Sequence, residues 1–362
     1  MDVFASLSKS DDAIVCVGMH TTGEPTRIVL RGIDHLLTGE RLLDKRDSAK
    51  RDHDHLRKRI MFEPRGHSEM YGAILVRETE LTRAGEAHIG VLFCHNEGYS
   101  TSRFLIDTQD AQVFPARSQL EHDPVTQTTT VGLHCPCGLV KVSVPTRLEG
   151  ERIKYDPSRL VSFLSVPSFV TAVDLLVQVP AEYRWPELGD RTSVALSVAY
   201  GGAFYAILPA FELGFGPGLR GAALDKLSFA AAQLKALLIQ HHPDLTHHPT
   251  EPSLSYLQVD RSPTGSAVGA RVALAFAKGH LGRNVPKRYH SIVSLSSSQP
   301  EQNAFVGEVV EEVEVEGGEG IASKGIVVKT SGRAFYTETN TFIAEKDDHL
   351  SSSGFEVCLP RM

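Results

Sequence analysis

Short runs of Val, Ile, Leu and Phe recur along the chain, each closed by Gly, Pro, Asp or Thr. "AIVCVGMH", "TRIVLRGI", "IGVLFCH", "TTTVGLH", "LVKVSVP", "LVSFLSVP", "DLLVQV", "TSVALSVAYGG" and "AFYAILPA" all have this form, which is the signature of strands rather than helices. "VGEVVEEVEVEGGEG" alternates Val with Glu and predicts a strand with one wet face. Helical spacing is rarer. "SAKRDHDHLRKRIMF" predicts one early, polar-faced helix, and "LDKLSFAAAQLKALLIQHH" carries an apolar stripe until His241 gives way to a Pro-containing loop. "TGSAVGARVALAFAKGHLG" opens on small residues and ends at Gly279 or Gly282, either of which suits a C-cap. The pattern predicts an α+β fold with much antiparallel sheet and few helices, and excludes a doubly wound parallel sheet.

Composition narrows the function classes. The 362 residues allow two domains or one large one. A formal charge of -7 with no offsetting Lys/Arg run argues against a nucleic-acid partner. No apolar run approaches membrane-spanning length, and the first residues carry three Asp (Asp2, Asp11 and Asp12) and no apolar core. The expectation is a cytoplasmic protein without membrane contact or secretory signal. Five cysteines do not form a disulfide framework. Cys135 and Cys137 form a C-x-C pair without a second ligand pair at zinc spacing, so buried or turn thiols are expected and no metal. Cys16 and Cys94 lie in apolar runs, where a thiol behaves as a small hydrophobe. The His pairs of "HHPDLTHHP" and the "RDHDH" stretch read as solvated segments.

The segment richest in chemistry is "VDRSPTGSAVGARVALAFAKGHL". Asp260 ends a short strand, Pro263 sets the turn, and Thr264, Gly265 and Ser266 open a helix. Backbone N–H groups at such a start, with no bulky side chain before them, suit a carboxylate or phosphate. A Walker-type loop is absent. An ordinary capped helix, with Thr264 or Ser266 as the cap, fits the same residues, and both readings stay open at this point.

"DRSPTGSAVGARVAL" resembles the second-half signature of the proline racemase family. So, in order, do "MHTTGEPTRIV", "FEPRGHSEMYGAILV", "FCHNEGYST", "YGGAFYAIL" and "SGRAFYTETNTF", which together cover nearly the whole chain. The resemblance implies two similar subdomains of curved, mostly antiparallel sheet, each around a central helix, as in diaminopimelate epimerase, with the active site between them. It places the first subdomain at 1–170 with a C-terminal return at 336–362, and the second at 171–335. It further implies a homodimer, an imino acid substrate, and no cofactor or metal.

In this family two acid/base positions face each other, each at the start of a central helix. Racemases and epimerases carry Cys at both, where a helix N-terminus favours the thiolate. The family's trans-3-hydroxy-L-proline dehydratases carry Thr at the second, and this chain has Thr264 there. A Thr hydroxyl does not relay protons at neutral pH, so the resemblance implies a one-base β-elimination, a hydro-lyase reaction yielding a pyrroline carboxylate. "HCPCGLV" at His134 also resembles the dehydratases. By the same resemblance Asp260 holds the ring nitrogen, and Gly265 and Ser266 belong to the turn that holds the carboxylate. A racemase or epimerase, and a non-catalytic imino-acid binder, are the competing expectations.

One departure matters. After "HNEGYST" the family continues with Met-Cys-Gly-His and an apolar helix, whereas here Thr101 is followed by Ser102 and at once by Arg103-Phe104. About nine residues are missing, roughly 14 Å of helix, and the central helix of the first subdomain is expected to be truncated near 101–103. The first-position Cys goes with it. Cys94 stands on the preceding apolar strand and is not expected to replace it. The chain is therefore expected to lack activity as it stands.

Overall fold

The computed structural model describes residues 12–67, 70–101, 120–150, 152–216, 223–257, 264–315, 324–345, 347–350 and 352–355. Asp260 and the stretch from Ser102, where the sequence reading puts the break, lie outside the described residues. The architecture is α+β, with strands dominating and helices few. The described residues of Met1–Ser100, Leu105–Ser162 and Arg333–Met362 form one compact unit, and those of Thr101–Phe104 and Phe163–Gly332 a second.

In the first unit the chain runs β1 (Ile14–Thr21), β2 (Glu24–Arg31), α1 (Leu42–Asp52), α2 (Asp54–Met61), β3 (Tyr71–Val76), α3 (Glu80–Arg83), β4 (Ile89–His95) and β5 (Gly98–Ser100). It continues through β6 (His122–Asp123), β7 (Thr128–Cys135), β8 (Gly138–Glu149) and β9 (Arg152–Tyr155), and β10 (Val161–Leu164) leads out. The strand order is β8-β7-β4-β3-β2-β1-β17, where β17 (Ala334–Phe342) returns from the far end of the chain to pair antiparallel with β1. Pairing is mostly antiparallel, but β2 with β3 and β4 with β7 run parallel. The period-two geometry of a strand sorts the faces. Ile14 and Cys16 of β1, Ile74 and Val76 of β3, and Leu92 and Cys94 of β4 share one core with Leu42, Ala49, Leu56, Ile60 and Met61 of α1 and α2.

The early helix differs from expectation. It begins at Leu42 rather than Ser48 and is two helices, broken at His53, whose backbone (φ -130°, ψ 18°) leaves the helical region. The break lets the second helix bury its own stripe, Leu56, Arg57, Ile60 and Met61. One continuous helix through "KRDHDH" would have carried a polar stretch into that face.

The second unit holds β11 (Phe169–Gln178), β12 (Ser193–Tyr200) and β13 (Phe204–Ile207) as one antiparallel sheet. It also holds α4 (Leu224–His241), α5 (Gly265–Ala277), β14 (Lys287–Tyr289), α6 (Ile292–Ser296), β15 (Phe305–Glu314) and β16 (Lys324–Gly332). Strands β14, β15 and β16 pair antiparallel in that order. Helix α5 is the buried one: nine of its residues are closed to solvent, from Gly265 to Leu274. It ends as the sequence predicted, at Gly279 (φ +69°), where His280 N–H donates to Ala275 and Gly279 N–H to Phe276. Leu234, Leu237 and Leu238 of α4 pack with Phe169, Val198, Tyr200 and Phe204 in a separate core. His248 joins that side instead of standing in a solvated loop, with its ring edge-on to Tyr200 at 4.9 Å and to Phe169 at 6.0 Å. Its burial holds the imidazole below its ordinary pKa. Among the described residues no helix is long and apolar enough to cross a membrane.

Candidate active site

The start of α5 gathers three of the four residues singled out by the sequence. Thr264 is the N-cap: its backbone is extended and its Oγ1 accepts from Ala267 N–H at 3.5 Å. Val268 N–H goes to the Thr264 carbonyl at 2.8 Å. Among the described residues, the N–H groups of Gly265 and Ser266 make no backbone hydrogen bond, as expected at a helix start. Thr264 and Ser266 are both buried, at 2% and 0% exposure, so their hydroxyls need protein or ligand partners.

That partner is Tyr205, which the sequence reading had not singled out. On β13 the alternation sends Phe204 into the core beneath α4 and Tyr205 to the opposite face, among Ala199, Ala203, Ala267 and Ala270. These small neighbours leave room for the phenol, whose OH lies 2.7 Å from Ser266 Oγ and 3.5 Å from Thr264 Oγ1. The two shorter hydroxyls are themselves 3.5 Å apart. The available signal was the phase of "AFYAIL": a polar-tipped aromatic stands out of step with Phe204 on a strand.

Gly201 makes this proximity possible. A Cβ there would lie 2.2 Å from the Ser266 carbonyl oxygen and 2.5 Å from Ala270 N, both backbone atoms. Only a residue without a side chain lets the β12–β13 turn rest against the first turn of α5. In the same turn Gly202 takes φ +106°, and its carbonyl accepts from Thr101 Oγ1 at 2.9 Å. Thr101, the last residue before the break, is itself buried in this second unit.

In the first unit, "FCHNEG" forms the tight β4–β5 hairpin, with His95 opposite Gly98. Arg57 holds it. One of its guanidinium nitrogens donates to the carbonyls of both His95 and Asn96 at 2.6 Å, and the others reach Asp54 at 2.5 and 2.9 Å. Burial alone would raise the Asp54 carboxyl, but Arg57 outweighs it and holds the group below the usual carboxylate range. His95 Nδ1 accepts from Glu97 N–H at 3.1 Å. Cys94 points to the other side of β4, 1% exposed beside α2, and burial pushes its thiol up to about 12. It is a packed thiol and no base. Burial likewise pushes Cys16 and Cys137 up to about 12 and Cys135 well above its ordinary value.

The fold is α+β, and the start of its buried helix brings together the hydroxyls of Thr264, Ser266 and Tyr205. Comparison with known proteins gives the family. The chain belongs to the proline racemase family, whose model matches residues 16–258 and 253–356. It is 38% identical to the trans-3-hydroxy-L-proline dehydratase of Homo sapiens over 365 residues, covering 92% of each chain. It is 30% identical to the proline racemase of Acetoanaerobium sticklandii, covering 96% of this chain and 100% of that one. Among solved structures, a hydroxyproline epimerase from Agrobacterium vitis with bound trans-4-hydroxy-L-proline superimposes with a TM-score of 0.73, over 94% of this chain and 95% of that one at 21% identity. That likeness carries the fold.

Proposed function

We propose that this chain descends from the trans-3-hydroxy-L-proline dehydratases and keeps the half-site that holds the imino acid. In this reading the N–H groups of Gly265 and Ser266 hold the carboxylate. Asp260, assigned by its motif, holds the ring nitrogen, and Thr264 occupies the second acid/base position. The observation that carries the reading is Thr264 itself: a buried hydroxyl caps α5 where a racemase needs a thiol. An alcohol does not take a Cα proton at neutral pH, so racemisation through two bases is closed to it. Elimination needs one base. The base takes the Cα proton, the C–H electron pair forms the Cα–C3 double bond, the C3–O bond breaks, and the departing hydroxide takes a proton to leave as water. The enamine then tautomerises to pyrroline-2-carboxylate.

In the family that single base is the Cys of the first-half helix, and no cysteine follows Thr101 until Cys135. Cys94 is too deeply buried to serve. We therefore read the chain as an imino-acid binder that does not complete the reaction, acting as a homodimer in the cytoplasm without cofactor. The test compares the chain with a version carrying a helix that begins Met-Cys-Gly-His after Thr101. The extended version is expected to form pyrroline-2-carboxylate from trans-3-hydroxy-L-proline, and to leave L-proline unracemised in D2O. The chain itself is expected to bind substrate without turnover. Equal activity in both would overturn the missing-base argument, and D-proline formation would overturn the role of Thr264.

A further inference from the structure

We infer that Tyr205 is the positioning residue that turns Ser266 into a hydrogen-bond donor, and so sets this half-site's preference for a carboxylate over a neutral amide. The inference rests on the reading above, in which the first turn of α5 holds the substrate's carboxylate. Its own basis is the short contact between two buried hydroxyls, Tyr205 OH and Ser266 Oγ, at 2.7 Å. Each group can donate one proton and accept others. A phenol is far more acidic than an alkyl hydroxyl, so the favoured arrangement has Tyr205 donating and Ser266 accepting. With its oxygen engaged by the phenol, Ser266 offers its own proton to the next group.

The same bias runs through the whole turn. Ala267 N–H already donates to Thr264 Oγ1, and the N–H groups of Gly265 and Ser266 can only donate. The turn thus presents donors. An ionised carboxylate is acceptor-only and fits such a set, whereas a carboxamide brings an NH2 that needs an acceptor. The phenol meets the turn most closely through Ser266, at 2.7 Å, while Thr264 Oγ1 stands at 3.5 Å, the outer limit of a hydrogen bond. Its place is secured by β13, by the alanines around it and by the close approach at Gly201. Because burial shields Tyr205 and Ser266 from bulk water, water does not replace either partner cheaply.

The test is equilibrium binding to the full chain, measured by calorimetry with trans-3-hydroxy-L-proline and with its carboxamide. The chain is expected to prefer the carboxylate. Tyr205→Phe, which removes only the hydroxyl, is expected to cut that preference about tenfold, the scale of one hydrogen bond expressed as an equilibrium constant. Ser266→Ala is expected to cut it by a similar factor. The double variant should lose no more than either single one, because both act through one bond. A merely structural role would lower the melting temperature and weaken both ligands alike, leaving the ratio unchanged; that result would overturn the inference. So would additive losses in the double variant. If Tyr205→Phe fails to fold, Ser266→Ala carries the test: an unchanged ratio there overturns the inference, and a tenfold fall supports it. If the unaltered chain binds neither compound, the proposed function falls and this inference with it. Binding with an unaltered ratio in the variants removes only the role of Tyr205.

Discussion

Gly201 and Gly269 face each other across the contact between the β12–β13 turn and α5, yet the structure predicts opposite outcomes for adding a methyl group. At Gly201 the new Cβ would meet Ser266 O at 2.2 Å, Ala270 N at 2.5 Å and Gly269 C at 3.0 Å. All three are helix backbone, so no rotamer change relieves the clash and the helix must retreat by about 1 Å. Overpacking of this kind costs about 1–3 kcal/mol, occasionally more. The same retreat stretches the 2.7 Å bond between Tyr205 and Ser266, adding about 1 kcal/mol. A total of about 2–4 kcal/mol is a large share of the roughly 5–15 kcal/mol that holds a typical domain. At Gly269 the nearest atoms are Ser168 Oγ at 3.3 Å, slightly tight but a side-chain hydroxyl that can turn aside, and Gly201 Cα at 3.5 Å, an ordinary contact. There Ala gains up to about 1 kcal/mol of helix propensity over Gly. Urea denaturation of Gly201→Ala and Gly269→Ala side by side checks both, with a markedly lower midpoint expected for the first and a midpoint at or slightly above that of the unaltered chain for the second. Equal midpoints would show that the turn and helix can slide apart freely, and the argument for a fixed α5 start would fail.

Arg57→Met should destabilise the first unit by about 1–3 kcal/mol, since it leaves the His95 and Asn96 carbonyls without their donor and leaves Asp54 with only Lys58, at 3.5 Å; thermal unfolding measures it. Acid should weaken the fold in a specific window. His134, whose Nδ1 lies 2.8 Å from Thr79 Oγ1, has its pKa lowered first by burial, as have His20 and His248. Below about pH 6.5 the unfolded chain binds protons that these folded imidazoles refuse, so stability is fully present above that pH and falls with acidification. Urea midpoints between pH 7.5 and 5 should show the decline, and His134→Gln should flatten it by up to about 1.4 kcal/mol per pH unit. Iodoacetamide at pH 8 should leave Cys16 and Cys94 unmodified in the native chain and alkylate both in urea, because burial keeps these thiols protonated; rapid native labelling of Cys94 would reopen its candidacy as a base.

Local chemistry made much of this protein legible in its sequence. Short runs rich in Val, Ile and Phe placed strands of both units, and alternation of Val with Glu marked β15. Thr264 and Gly279 marked the two ends of α5, because a cap and a left-handed terminus depend on residues within a turn of one another. The ordered motifs pointed to the family, and Thr264 to its dehydratase branch. Other features depend on partners far along the chain. Nothing local says that β17 returns to β1, or that β2 and β4 take parallel neighbours. The break at His53 was invisible in a run of charged residues, since the face buried by Leu56, Ile60 and Met61 is defined by the sheet beneath it. His248 read as solvated until Phe169 and Tyr200 closed around it. Tyr205 stands about sixty residues from Ser266 (|i−j| = 61), and only the glycine contact at 201 brings their hydroxyls together. Hydrogen bonds between distant side chains are set by packing geometry to within a fraction of an ångström, and that geometry exists only once the sheet and the helix have closed on each other.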